Sequence, residues 1–209
     1  MDWYLAVLRA LGVPGRREFV WMPERPQAIA SIHTRWAPTS RRWLAVHPGA
    51  RWANKRWPAA HFAELVGRLS TQEQDLHFVI LGGAGDRALG EIISGAAPGR
   101  CLNLTGQTSL SEMIEWIRLS EVMVTNDTGP MHVAAALNKP LVALFGPTEP
   151  RRTGPYGRLD QTVQASLPCV PCMKDSCRAI KTMECLHELR PEAIAARVFL
   201  LLKPSSTRA

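Results

Sequence analysis

The chain has 209 residues, 46% of them hydrophobic, and a formal net charge of +7. That length and composition suit one sizeable core, and no stretch approaches eighteen consecutive apolar residues, which excludes a membrane-spanning helix. The positive charge is scattered in small groups (Arg16-Arg17, Arg41-Arg42, Arg51 with Lys55-Arg56, Arg151-Arg152), which suits anionic small molecules or an anionic membrane surface and excludes a dense nucleic-acid-binding patch.

At the start, "MDWYLAVLRALGVPGRREF" has apolar residues at helical spacing but neither a charged n-region nor a small-residue cleavage site. It does not read as a signal peptide, so the expected location is cytoplasmic, where the five cysteines stay reduced or bind metal. A helix over Trp3–Leu11 is expected to stop at Gly12, a C-cap. A strand-like run, Glu18–Met22, and a stretch punctuated by proline up to Thr39 follow. Residues 1–40 carry too few apolar side chains for a core of their own and read as a remnant or linker. Residues 41–209 read as the domain proper.

From Trp43 a regular alternation begins. Leu44–His47 is a predicted strand, followed by the loop "PGARWANKRWP". A helix over Ala59–Leu69 places Phe62, Leu65, Val66 and Leu69 on one face. Leu76–Leu81 is the second strand, then come the turn "GGAGD" and a helix to about Ser94. Cys101–Leu104 is a short strand. Ser109 and Glu112 form a capping box for a helix whose apolar stripe reads as Leu110, Met113, Ile114 and Ile117. Glu121–Thr125 and Leu141–Phe145 are the last two predicted strands, and a final helix opens at Pro191-Glu192 with Ile194, Val198 and Leu201 inward. Strands alternating with helices in this way predict an α/β fold, a Rossmann-like parallel sheet with helices on both faces.

Open α/β sheets bind ligands beyond the carboxyl ends of their strands. The unusual polar clusters all fall there: Pro48, Gly49, Ala50, Arg51 and Lys55; then Gly82-Gly83-Ala84-Gly85-Asp86; then Asn126, Asp127, Thr128 and Gly129; then Gly146-Pro147-Thr148. Any one of these loops alone is ordinary turn chemistry. Four on one edge point to a site. Asp127 or Thr128 is the expected N-cap of a short helix in which Pro130 is tolerated, and the free N–H groups of its first turn suit a phosphate or pyrophosphate. His132 shares a face with Thr128, whereas Asp127 suits capping or orienting His132 better than touching an anion. Lys55 could set an ammonium beside that anion, with Arg51 and Arg56 competing for the role. Trp57 reads as core packing. Asp86 could accept bonds from ribose hydroxyls or cap its own helix. "LGGAGD" lacks the full G-x-G-x-x-G spacing of a nicotinamide or flavin site. Cys169, Cys172, Cys177 and Cys185 lie within seventeen residues of one another. They could hold a structural Zn²⁺ or simply pack as reduced thiols, and Cys101 reads as buried.

"HPGARWANKRWP", "LGGAGD", "NLTGQTSLSEM", "TNDTGPMHVAAALNKPLVALFGPTEP" and the cysteine cluster resemble the C-terminal half of glycosyltransferase family 9, the ADP-heptose:lipopolysaccharide heptosyltransferases. The resemblance runs from about Trp43 to the end, and "WYLAVLRALGVP" is similar to the close of that family's N-terminal domain. It implies the C-terminal, donor-binding domain of a GT-B glycosyltransferase, with ADP-heptose as donor and the lipopolysaccharide inner core as acceptor. Asp127, Thr128, Gly129 and His132 would then grip the pyrophosphate and nearby sugar. Lys55 would neutralise the departing diphosphate, Gly49 and Ala50 would offer backbone contacts, and Asp86 and Thr108 would lie toward the nucleoside. Transfer would invert the anomeric centre without a catalytic metal. The family's general base is an Asp near the start of the N-terminal domain, which also holds the acceptor, so the isolated chain is expected to be inactive. The resemblance implies no nucleic-acid partner and allows peripheral contact with the inner membrane. The competing readings are another sugar-nucleotide enzyme of this architecture and a non-catalytic nucleotide-sugar-binding module or partner of a split enzyme.

Overall fold

Six short, largely apolar runs form the sheet that organises the chain in a computed structural model, which describes residues 2–14, 22–38, 41–178 and 181–202. They are β1 (Arg42–His47), β2 (Leu76–Ile80), β3 (Cys101–Asn103), β4 (Val122–Asn126), β5 (Leu141–Phe145) and β6 (Thr162–Gln164). Every pairing is parallel, in the order β3-β2-β1-β4-β5-β6. The chain therefore steps outward from β1 to β3, returns to lay β4 against β1, and steps outward the other way. The expected Rossmann-like sheet is the one observed.

Alternation along the strands divides the core. Leu44, Val46, Phe78, Ile80, Val122, Val124, Val142 and Leu144 face one layer, formed by α3 (Ala59–Gln72), α4 (Arg87–Ser94) and α9 (Pro191–Leu201). Trp43, Ala45, Val79, Met123, Ala143 and Phe145 face the other, formed by α2 (Pro26–Trp36), α5 (Leu110–Leu119) and α6 (Gly129–Ala136). Both faces of β1, β4 and β5 are closed to water, as expected of central strands in a parallel sheet. At the amino end of β1, Arg42 is fixed by Glu73, Asp75 and Glu121, so this half of the Arg41-Arg42 pair is structural.

The capping box of α5 forms: the Glu112 N–H donates to Ser109 Oγ, and the Ser109 N–H donates to the Glu112 carboxylate. The stripe of that helix differs from the expected one. Leu110 is 69% exposed, while Trp116 is fully buried with Ile117. The box consumes the first turn on the side where Glu112 meets Ser31 and Arg35 of α2, and this turns Leu110 outward. The short helix α1 (Asp2–Ala10) ends as expected, with Gly12 left-handed at φ +72°. Of the strand-like run Glu18–Met22, all but Met22 lies outside the described residues.

Several elements were not anticipated. Helix α2 starts with Pro26 in its first turn and buries Ala28 and Ile32, the latter in the α5 layer. Edge strand β6 carries Gln164, whose side-chain amide donates to the carbonyls of Gly146 and Thr148. The segment between β5 and β6 also includes the four-residue α7 (Pro150–Thr153), and α8 (Glu184–His187) precedes α9.

Candidate functional site

The strand order reverses between β1 and β4, and the space beyond the carboxyl ends of these two strands is the usual ligand crevice in this architecture. Asn126, fully buried at the end of β4, clasps the two loops together. Its amide donates to the Pro48 carbonyl at 2.7 Å, and its carbonyl oxygen accepts from the Trp57 N–H at 3.0 Å. Trp57 is buried, and its indole N–H donates to the Leu189 carbonyl, so it packs as expected.

That clasp brings Lys55 to Asp127. The ammonium donates to Asp127 Oδ2 at 2.7 Å and lies 4.7 Å from the centroid of the Trp52 ring. The same carboxylate oxygen accepts from the Thr148 hydroxyl at 2.5 Å. Three strand-end loops, those of β1, β4 and β5, thus meet at one oxygen. Asp127 is not the N-cap of α6. Its carboxylate is held by Lys55 and Thr148, while Thr128 occupies the cap position in extended conformation and makes no side-chain cap bond. Gly129 opens the helix with empty space where a side chain would stand, leaving its first turn accessible. Arg56 is turned away to the Ala50 carbonyl and Arg51 is exposed. Lys55 is the cation that reaches the crevice from this loop.

His132 lies one turn into α6 and borders a cavity of about 570 Å³ together with Arg151, Arg152 and Tyr156. Desolvation holds its imidazole below the ordinary histidine value; Asp127 pulls the other way and Lys55 reinforces the lowering. His132 is itself exposed, so its imidazole is open to a ligand entering this cavity.

On the β2 side, the Asp86 carboxylate accepts from the Gly83 N–H at 3.0 Å. It fills the space where Cβ atoms of residues 49 and 82 would stand, which is why both positions are glycine. Asp86 thus closes its own turn, and its position against buried Gly49 keeps it on the crevice side. Ala50 is buried with its carbonyl engaged by Arg56. Thr108 is half-buried in the loop after β3, past Gly106, whose N–H donates to the Gly82 carbonyl. Gly49, Ala50, Lys55, Asp86, Thr108, Asp127, Thr128, Gly129 and His132 all lie on the carboxyl edge of the sheet. Only Lys55 and Asp127 touch directly through side chains. Thr148 was noted in the loop after β5 but given no role; the structure sets its hydroxyl on Asp127.

Cys169, Cys172, Cys177 and Cys185 are free thiols that line one cavity of about 250 Å³. As placed, no three His, Cys, Asp or Glu side chains among the described residues stand close enough to share a metal ion. Cys101 is partly buried, and desolvation raises its thiol to about 11, in keeping with a packing role.

This fold and this edge define a Rossmann-like α/β domain whose strand order reverses between β1 and β4. More particularly, the chain belongs to glycosyltransferase family 9 (heptosyltransferase), which it matches over residues 15–183. It is 32% identical over 169 residues to lipooligosaccharide heptosyltransferase 2 of Campylobacter jejuni, a match covering 79% of this chain and 52% of that protein. The solved structure of Escherichia coli ADP-heptose lps heptosyltransferase II superposes with a TM-score of 0.71 at 29% identity, covering 86% of this chain and 52% of that one. An E. coli heptosyltransferase solved with ADP shares the fold, with a TM-score of 0.62 at 21% identity over 93% of this chain and 54% of that one. The chain spans about a third to a half of the length of the curated relatives it matches.

Proposed function

We propose that this chain is the donor-binding half of an inverting heptosyltransferase that takes ADP-heptose and serves the lipopolysaccharide inner core. The observation that carries the reading is the Lys55–Asp127 pair across the point where the strand order reverses, directly before the accessible first turn of α6. The diphosphate lies against the N–H groups at Thr128 and Gly129. Lys55 turns from Asp127 toward it, and His132 donates an imidazole N–H. As the sugar–phosphate bond breaks, negative charge grows on the departing ADP, and the Lys55 ammonium and the helix start stabilise it without a metal. Asp127 holds Lys55 ready without being a phosphate ligand. The nucleoside lies toward Asp86 and Thr108, and the cavity beside His132, within the usual range for small-molecule pockets, gives the sugar room.

The acceptor and the general base are assigned to the part of the relatives that this chain does not match, so the isolated chain binds donor without turnover. No described helix is long and apolar enough to cross a membrane. Action at the cytoplasmic face of the inner membrane, through peripheral contact, fits the scattered positive charge.

Calorimetry with ADP and adenosine tests the donor site. Lys55→Ala should weaken ADP by roughly 1.5–3 kcal/mol, the worth of a hydrogen bond to a charged group, and adenosine very little. His132→Ala should act on the same end of the ligand. Equal losses for both ligands, or none, would leave the α6 segment a helix start and nothing more. Competition between ADP- and UDP-sugars separates this reading from another sugar-nucleotide enzyme. Turnover by the isolated chain would refute the assignment of the base elsewhere.

A further inference from the structure

The chain after β6 holds a constellation that the donor site does not use. Cys169, Cys172 and Cys177 come from an irregular loop and Cys185 from α8, yet all four border the same cavity, together with Asn54 and Pro147. Four cysteines brought from two segments to one small space are a donor set for a thiophilic ion, and the two-residue spacing of the first pair lets adjacent thiolates chelate. Cys177 Sγ already accepts a backbone N–H, that of Met183, at 3.2 Å. Such a bond fixes the direction of the sulfur. The loop is also tied to the crevice. The Asn54 amide donates to the Lys174 carbonyl at 2.9 Å, and the Met173 N–H donates to the Pro147 carbonyl at 2.8 Å. Asn54 precedes Lys55, and Pro147 precedes Thr148.

We propose that Cys169, Cys172, Cys177 and Cys185 form a tetrathiolate zinc site that clamps the loops carrying Lys55 and Thr148. In the structure the thiols surround the cavity without converging to coordination distance, so binding draws them inward across it, releasing their protons as Zn²⁺ replaces them. The ion is structural: four protein ligands leave no open position for substrate. The metal site stands independently of the donor reading; only the clamp rests on it.

The full chain, purified under reducing conditions and analysed by elemental mass spectrometry, should carry about one zinc per chain. Co²⁺ titrated into the metal-stripped protein should give thiolate charge-transfer absorption that Zn²⁺ abolishes. Cys172→Ser and Cys177→Ser should each lose the metal, whereas Cys101→Ser should keep it. Should a variant fail to fold, the Co²⁺ titration of the unaltered chain still decides. Metal-free protein without cobalt–thiolate absorption overturns the site, as does pairing of these thiols into disulfides that leaves metal binding untouched. For the clamp, ADP should bind the zinc form about fivefold or more tightly than the stripped form. Equal affinities overturn the clamp while the zinc count stands. ADP binding to neither form counts against the donor reading and leaves the metal result intact.

Discussion

Lys55 Nζ and Asp127 Oδ2 stand 2.7 Å apart and join the loops that leave β1 and β4, with side chains 16% and 5% exposed. A pair this sheltered is costly to break by halves, because the partner left behind has lost its solvation. Thr148 donates to the same carboxylate oxygen and shares with Lys55 the task of satisfying it.

Thr148→Val tests that sharing, because it removes the hydroxyl while nearly keeping the shape. The loss should be roughly 1.5–3 kcal/mol in urea unfolding, as for a hydrogen bond to a charged group, and Thr148→Ser should recover most of it. A valine variant as stable as the parent would show that Lys55 alone suffices.

Gly49→Ala would drive a Cβ into the Asp86 carboxylate, which is bonded to the Gly83 N–H. The expected cost is about 1–3 kcal/mol, typical of overpacking. Because the clash is with a side chain, Asp86→Ala should relieve part of it, with a non-additivity of at least about 0.5 kcal/mol in the double variant. Additive losses would place the obstruction elsewhere.

Glu112 supplies a pH signature. Burial raises its carboxyl, but bonds from Ser31, Ser109 and Arg35 outweigh that and hold it at about 2 against the ordinary 4.5. The folded value is lower than the unfolded one, so the contribution is complete above about pH 4.5 and fades as pH falls toward about 2. Glu112→Gln should therefore cost more at neutral pH than near the acid end of that window. Denaturant melts across it measure the difference. A pH-independent cost would mean the carboxylate charge is irrelevant.

Within α5, Trp116→Ala should cost roughly 3–5 kcal/mol. Its ring is fully buried and packs edge-on against Trp43 with centroids 5.2 Å apart. Leu110→Ala should stay within about 0.5 kcal/mol, because Leu110 is exposed. Thermal unfolding of the two variants side by side ranks them, and a reversed order would contradict the burial pattern.

That contrast shows what local pattern can carry. The strands β1, β2, β4 and β5 and the helix α3 were legible because their apolar runs and spacing are set by neighbours in the chain. The stripe of α5 was misjudged at Leu110 because the polar capping box decides which side of the first turn is covered. Helix α2 offers few apolar side chains, Ile29 and Ile32 among them, and is supported by Glu112, which lies far away in sequence. The edge strand β6 is only three residues long, and its pairing depends on β5 already being in place. At the crevice, position on the carboxyl edge was readable from strand ends alone. The partnership of Asp127 with Lys55 and Thr148 was not, because a carboxylate before a helix suits capping equally well until the fold delivers competing donors.

The strand order also bears on how a nascent chain acquires this shape. β1 finds one neighbour early, in β2, but its other neighbour, β4, begins only at Val122. While the ribosome is still supplying the residues between, one edge of β1 has its amides and carbonyls unpaired, bracketed by Leu44 and Val46 on one face and Trp43 and Ala45 on the other. Such an edge invites pairing with the wrong chain. One of the two central strands of the finished molecule is thus the most vulnerable strand of the unfinished one, and its protection arrives with the same strand that brings Asp127 to Lys55.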